Sequence, residues 1–198
     1  GEAAVAEAPT DLATVPPPSG TGRMQFRLLA AQYARKDTFA DTGWRNRWRL
    51  FRAAVRFARG KGVLPRLQEE FVAVPFADLE RPFGPLSSEI DEMLTRYLRV
   101  KVHGWHFCGA AYYGVPLVEG FQSLALVVPV VLWLARWLAA GAGRSELATE
   151  DVARALAIAD HHHGYSPAFG QGSFRGRVRL LARLNDIVRL AAWYGRDA

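Results

Sequence analysis

Residues 117–140, LVEGFQSLALVVPVVLWLARWLAA, constrain the fold most, because residues 124–135 carry no charge and no strongly polar side chain. Such a run is too long for an ordinary strand and shorter than the ~20 residues that cross a bilayer. Arg136 closes it. A helix apolar on every side must be enclosed by other helices, so the amphipathic segments around it serve as its wrapping. The expected fold is all-α, a single bundle of about five to six helices around a buried apolar helix at 117–140, with an irregular proline-rich connection.

With 198 residues, half of them apolar and 22% charged, the chain can build one substantial core. The formal charge of +6 comes mainly from arginine, since lysine occurs only at Lys36, Lys61 and Lys101. Arginine suits bidentate contacts to carboxylate or phosphate, but arginine richness also accompanies GC-rich coding, so composition points only weakly to nucleic acid. Cys108 is the single cysteine, which excludes an internal disulfide and any cysteine-ligated cluster formed by this chain alone. No cofactor is expected, and a reducing, cytoplasmic setting is the default. The N-terminal GEAAVAEAPTDLATVPPP has neither the basic nor the apolar region of a signal peptide. The start at Gly1 rather than Met suggests a processed product or an excerpt.

Residues 1–22, with Pro16, Pro17 and Pro18, show no periodic apolar face and are expected to form a disordered linker or arm. Residues 23–198 are assigned to one helical domain. Phe26, Leu29, Ala30 and Tyr33 have the spacing of a first helix over 24–36, closed by a polar turn in which Asp41 or Thr42 caps the next one. That second helix, over 44–59, is the most patterned segment. Trp44, Trp48, Phe51, Val55 and Ala58 share one side, beside a column of Arg45, Arg49, Arg52, Arg56 and Arg59. Residues 43–67 hold eight cations and no acid. The plain expectation is a solvated arginine face with the aromatics in the core; the alternative is a surface for phosphate, nucleic acid or an acidic partner.

Four prolines, Pro65, Pro75, Pro82 and Pro85, interrupt the following segment. An extended connection is expected there, with one helical turn at 66–71, pinned by Phe71, Val74, Phe76, Leu79 and Phe83. Ser87 or Ser88 starts the next helix, whose buried stripe is Ile90, Leu94, Tyr97, Leu98, Trp105 and Cys108. Lys101 interrupts that stripe and is expected to snorkel to the edge of the core, with Glu119 as its candidate partner if it pairs. His103 and His106 fall on the polar face with Arg96 and Arg99. They have the spacing to share a metal, but no second ligand pair accompanies them, so no metal site is assigned.

The glycine-rich GAAYYGVPLVEG turn lacks a phosphate-loop pattern and is read as a tight reversal. Pro129 predicts a kink or break in the central helix. A membrane-inserted hairpin is the rival there, but Arg136 and the amphipathic neighbours favour a protein-enclosed core, so a membrane is not expected among the partners. Thr149 caps a later helix ending in His161, His162 and His163, which point about 100° apart, cannot converge on one metal, and are read as a polar C-terminal turn. A last helix over 174–194 turns Leu180, Leu181, Leu184, Ile187, Val188 and Ala191 inward and Arg175, Arg179 and Arg183 outward. No catalytic residues are assigned.

The run RYLRVKVHGWHFCGAAYYGVPLVEGFQSLALVVPVVLWLARWLAA, then ELATEDVARALAIADHHHG and a terminal arginine- and leucine-rich helix, resembles the C-terminal helical region of cysteine-cluster proteins related to flagellin lysine-N-methylase. The likeness covers residues 86–163 and, more loosely, VLPRLQEEFVAVPF before them. In that family the chemistry belongs to an N-terminal cysteine cluster holding a metal or iron–sulfur centre, and this sequence has no such cluster. The resemblance implies an accessory or docking domain of such a protein, without autonomous catalysis, whose partner is the cysteine-cluster module. The alternative is a basic module binding nucleic acid or another polyanion through Arg45, Arg49, Arg52, Arg56 and Arg59. A third possibility is a small-ligand pocket around Lys101, Trp105, Tyr112, Tyr113 and Glu119.

Overall fold

A computed structural model describes residues 14–35, 43–67, 69–110, 112–165 and 172–195. Among them run nine helices: α1 (Gly20–Tyr33), α2 (Trp44–Arg59), α3 (Phe76–Glu80), α4 (Ser88–His103), α5 (Leu117–Ala125), α6 (Val127–Gly141), α7 (Thr149–Tyr165), α8 (Gly172–Arg183) and α9 (Asp186–Gly195). No strand forms among the described residues, and extended backbone pairs at two isolated bridges, Val63 with Pro75 and Gly109 with Val115. The architecture is all-helical, with more and shorter helices than the sequence pattern suggests. Breaks at Leu126 and at 184–185, together with the short α3, account for the difference.

The expected apolar rod is α5 plus α6. α5 ends at Ala125, the residue whose carbonyl Pro129 cannot satisfy, since proline lacks an N–H and its ring crowds the carbonyl four residues back. α6 packs against α1, α3, α5, α7 and α9, and Val130 through Trp137 are buried. The span Leu117–Gly141 is long and apolar enough to cross a membrane by length and composition, yet 72% of its most apolar window lies buried inside the protein. α5 differs from α6, because Leu117, Val118 and Phe121 on its outer side are exposed.

Arg136 does not end the rod; it lies 1% exposed within α6. Its guanidinium donates to the carbonyls of Leu79 (3.3 Å), Arg81 (3.0 Å) and Tyr194 (2.8 Å), and lies 4.9 Å from the Phe83 ring. These carbonyls belong to the C-terminal ends of α3 and α9, where the helix dipole is negative, so the cation is stabilised by main-chain groups. Next to it, Trp137 donates to the Val72 carbonyl at 2.7 Å, and its ring lies tilted against that of Phe71 with centroids 4.7 Å apart. All five anchors of the connection between α2 and α4, Phe71, Val74, Phe76, Leu79 and Phe83, are buried. A helical turn forms at α3, while the one expected at 66–71 includes residue 68, which lies outside the described residues.

α1 begins at Gly20, earlier than the start at residue 24 expected from the spacing. Ser19 caps α1 by accepting from the Gly22 N–H, and its own hydroxyl and N–H donate to the buried Asp186 at 2.5 and 3.1 Å. Gly22 is required here, since a Cβ would sit 1.8 Å from the Asp186 carboxylate. Residues 1–13, and the 36–42 turn with its Asp41 and Thr42 caps, lie outside the described residues; Gly43 occupies the N-cap position of α2. Thr149 is the first residue of α7 rather than its cap. Asp151 accepts from the Ala148 N–H at 3.1 Å, and Thr149 donates to Glu89.

The single helix expected over 174–194 is two. Asn185, in the left-handed region at φ 54°, separates α8 from α9, a conformation that asparagine tolerates better than most residues. The break resets the rotational phase, so Leu181 and Leu190 are buried while Val188 is exposed instead of facing inward.

Candidate functional site

The loop between α4 and α5 is built under conformational strain. α4 ends in a Schellman arrangement: the His106 N–H donates to the Lys101 carbonyl and the Trp105 N–H to the Val102 carbonyl. The left-handed position of that motif usually belongs to glycine. Here Gly104 precedes it, and Trp105 adopts φ 53° with its side chain 62% exposed. A left-handed tryptophan costs about 1–2 kcal/mol. Tyr113, at φ 51°, is a second exposed aromatic in the same conformation.

The loop is nevertheless fixed from beneath. Gly109 bonds Val115 through an isolated bridge, and Phe107, Tyr112 and Val115 are buried. Gly120 of α5 lies so close that a Cβ there would sit 2.0 Å from the Phe107 carbonyl oxygen. Trp105 stacks parallel to Phe107 at 6.2 Å, and Phe107 meets Phe121 edge-on at 5.9 Å. Trp105, Leu117, Val118 and Phe121 therefore present an apolar surface to solvent, with the exposed His103 and His106 beside it.

Below the loop lies a buried polar cluster drawn from α1, α4 and α7. His163, fully buried, has the Tyr33 hydroxyl 3.2 Å from Nδ1 and the Tyr112 hydroxyl 3.1 Å from Nε2. Burial drives the His163 pKa down to about 3, reinforced by the Lys101 charge and opposed by Asp160. Burial also raises the Tyr33 and Tyr112 hydroxyls above their ordinary range. The imidazole at the centre of the cluster is held in its neutral form by burial. It anchors the loop through Tyr112.

Lys101 does pair, with Asp160 rather than Glu119. Its Nζ lies 2.6 Å from Asp160 Oδ1, which also accepts from the Tyr97 hydroxyl at 3.0 Å. Burial acts to raise the Asp160 carboxyl, but the hydrogen bond and charge of Lys101 outweigh it and hold the group below its ordinary value. Glu119 is buried against α8, where it accepts from Arg175 at 2.6 Å and Arg179 at 2.8 Å; these bonds, Arg175 first, depress its pKa. The five residues grouped as a pocket thus fall into different surroundings. Lys101 and Tyr112 belong to the buried cluster, Trp105 and Tyr113 face solvent, and Glu119 faces α8.

The expectation that His161, His162 and His163 form a polar C-terminal turn fails, because they lie within α7 with His162 and His163 both buried; three consecutive histidines give no indication which of them face the core. Trp105 is exposed rather than part of the α4 stripe, because the helix ends at His103. His103 and His106 are exposed, as are Arg96 and Arg99. Among the described residues, no group of three or more His, Cys, Asp or Glu side chains is disposed to hold a metal ion.

The second surface is α2. Arg45, Arg49, Arg52, Arg56 and Arg59 are all exposed, but the aromatic side of the helix is not in the core: Trp44 is 74% exposed, Trp48 57% and Phe51 57%. α2 packs on α1, with Leu50, Ala53 and Phe57 lining that junction. Phe57 is buried and reaches within 6.1 Å of both Trp133 and Trp137. The helix carries two apolar stripes, and the one with Leu50, Ala53 and Phe57 packs on α1. Comparison with protein-family models, with curated proteins and with solved structures returned no match.

Proposed function

We propose that this chain is a helical docking domain without autonomous catalysis, the accessory part of a cytoplasmic cysteine-cluster protein of the lysine-N-methylase-like kind. Its partner is the cysteine-cluster module, and methyl transfer to a protein substrate belongs to that partner. The observation carrying this reading is Trp105, held in the left-handed region with its ring exposed and linked through Phe107 to the exposed Phe121 of α5, where Leu117 and Val118 are exposed as well. Backbone strain and exposed apolar surface are both unfavourable in the free chain, and a cluster of exposed apolar side chains on one loop and helix is a feature of interaction sites. A single cysteine leaves cluster chemistry to a second module. Coexpressed with a cluster-bearing module, the chain copurifies with it, and Trp105→Ser with Phe121→Ser breaks the association. Failure of two folded parts to associate at low salt overturns the proposal.

A second reading, a module that binds nucleic acid or another polyanion, is favoured by the exposure of Trp44, Trp48 and Phe51 beside the arginine column. Binding of this kind weakens steeply with salt and with Arg49→Glu, Arg52→Glu and Arg56→Glu. Salt-insensitive behaviour removes it.

A further inference from the structure

We propose that α2 is a membrane-surface helix: Trp44, Trp48 and Phe51 enter the headgroup region of an anionic bilayer while the arginines beside them pair with lipid phosphates. This rests on the polyanion reading of the same helix and names the class of polyanion.

Three faces of α2 follow from about 100° of rotation per residue. Leu50, Ala53 and Phe57 face α1. Trp44, Trp48 and Phe51 form a stripe along the axis, exposed to solvent. Exposed arginines border that stripe on both sides, Arg47 along one edge and Arg45, Arg52 and Arg59 along the other. An aromatic stripe between cationic flanks is the pattern of a helix lying in the interfacial plane, where indole rings partition between headgroup and acyl chain.

Charge selects the lipid. Residues 43–67 hold eight cations and no acid, so a surface met by this face gains affinity if it is anionic. The gain is about fivefold per basic residue near such a surface. Within α2 itself, the first turn contains Arg45 and Arg47 and no acid.

Ring geometry favours a bilayer over single-stranded nucleic acid. Trp48 and Phe51 stack on each other, 5.6 Å apart and 25° from parallel, so each covers a face of the other that a base would need. Apolar insertion needs only the outer edges of the rings, and those are open.

The test is co-sedimentation of the full chain with vesicles of phosphatidylcholine alone, and of phosphatidylcholine with an equal amount of phosphatidylglycerol, beside a binding assay with a single-stranded oligothymidylate. The expected result is retention on the phosphatidylglycerol vesicles and little on phosphatidylcholine. Trp44→Ser, Trp48→Ser and Phe51→Ser together should lower partitioning by about tenfold or more with helical content unchanged, because all three side chains are exposed. Arg52→Glu with Arg56→Glu should do the same through charge. Oligothymidylate binding without vesicle retention overturns the membrane proposal and leaves the polyanion reading standing; binding to neither overturns both. Equal retention on the two vesicle types, or a serine variant that partitions like the parent chain, also overturns it.

Discussion

Arg136 of α6 donates to the carbonyl of Tyr194 near the end of α9 at 2.8 Å, and the same guanidinium lies 5.3 Å from the Tyr194 ring. One cation thereby joins the central helix to the last one and, through Leu79 and Arg81, to α3. Arg136→Leu leaves those carbonyls short of a donor at a buried site. Leaving a buried carbonyl without its donor costs about 1–3 kcal/mol, so the urea unfolding midpoint should fall substantially. An unchanged midpoint contradicts this role.

His163 makes stability depend on pH. In the folded protein the ring takes up a proton only at about pH 3, whereas the ordinary value is 6.5. Between those values the unfolded chain binds more protons, so stability falls as pH drops below 6.5, with a limiting slope of about 1.4 kcal/mol per pH unit. The Asp160 carboxyl, held low by Lys101, contributes stability that is lost at more acidic pH in the same direction. Urea unfolding of His163→Gln between pH 6.5 and 4 should show a flatter profile than the parent; equal slopes contradict the assignment.

Much of the fold was legible from local signals, since the bounds of α2, the Ser87 cap of α4 and the apolar run through 124–135 follow from residue types and spacing. What was not legible depended on choices between equivalent local patterns. α2 carries two apolar stripes, and only the packing of Leu50, Ala53 and Phe57 on α1 decides that the tryptophans stay outside. Lys101 had only Glu119 in prospect, and the crossing of α4 with α7 brings Asp160 to it instead. For the candidate site, the strained conformation of Trp105 left no mark in composition, because glycine, the residue that normally signals a left-handed position, stands one place earlier.

The pairing of Lys101 is open to direct measurement. In a double-mutant cycle, Lys101→Met and Asp160→Asn should couple by about 1 kcal/mol, a modest value because Asp160 is partly exposed to solvent. The corresponding cycle with Glu119→Gln should show no coupling, since Glu119 is held by Arg175 and Arg179. Coupling in the second cycle and none in the first reverses the assignment.

Gly120→Ala should be far more damaging than its exposure to helix propensity suggests. The added methyl meets the Phe107 carbonyl at 2.0 Å, a backbone atom that cannot move aside, so either α5 or the loop must shift. A loss of about 2–4 kcal/mol in urea unfolding is expected, more than for Gly109→Ala, where the left-handed backbone adds about 1–2 kcal/mol and the space is open. Equal losses at the two positions contradict the tight approach of loop and helix.

The docking surface is the central claim, and hydrogen–deuterium exchange with and without the cysteine-cluster module tests it most directly. Slowed exchange confined to residues 104–121, with the outer side of α8 unchanged, is the predicted result. Protection elsewhere, or none at all in a mixture shown to contain both folded parts, contradicts it.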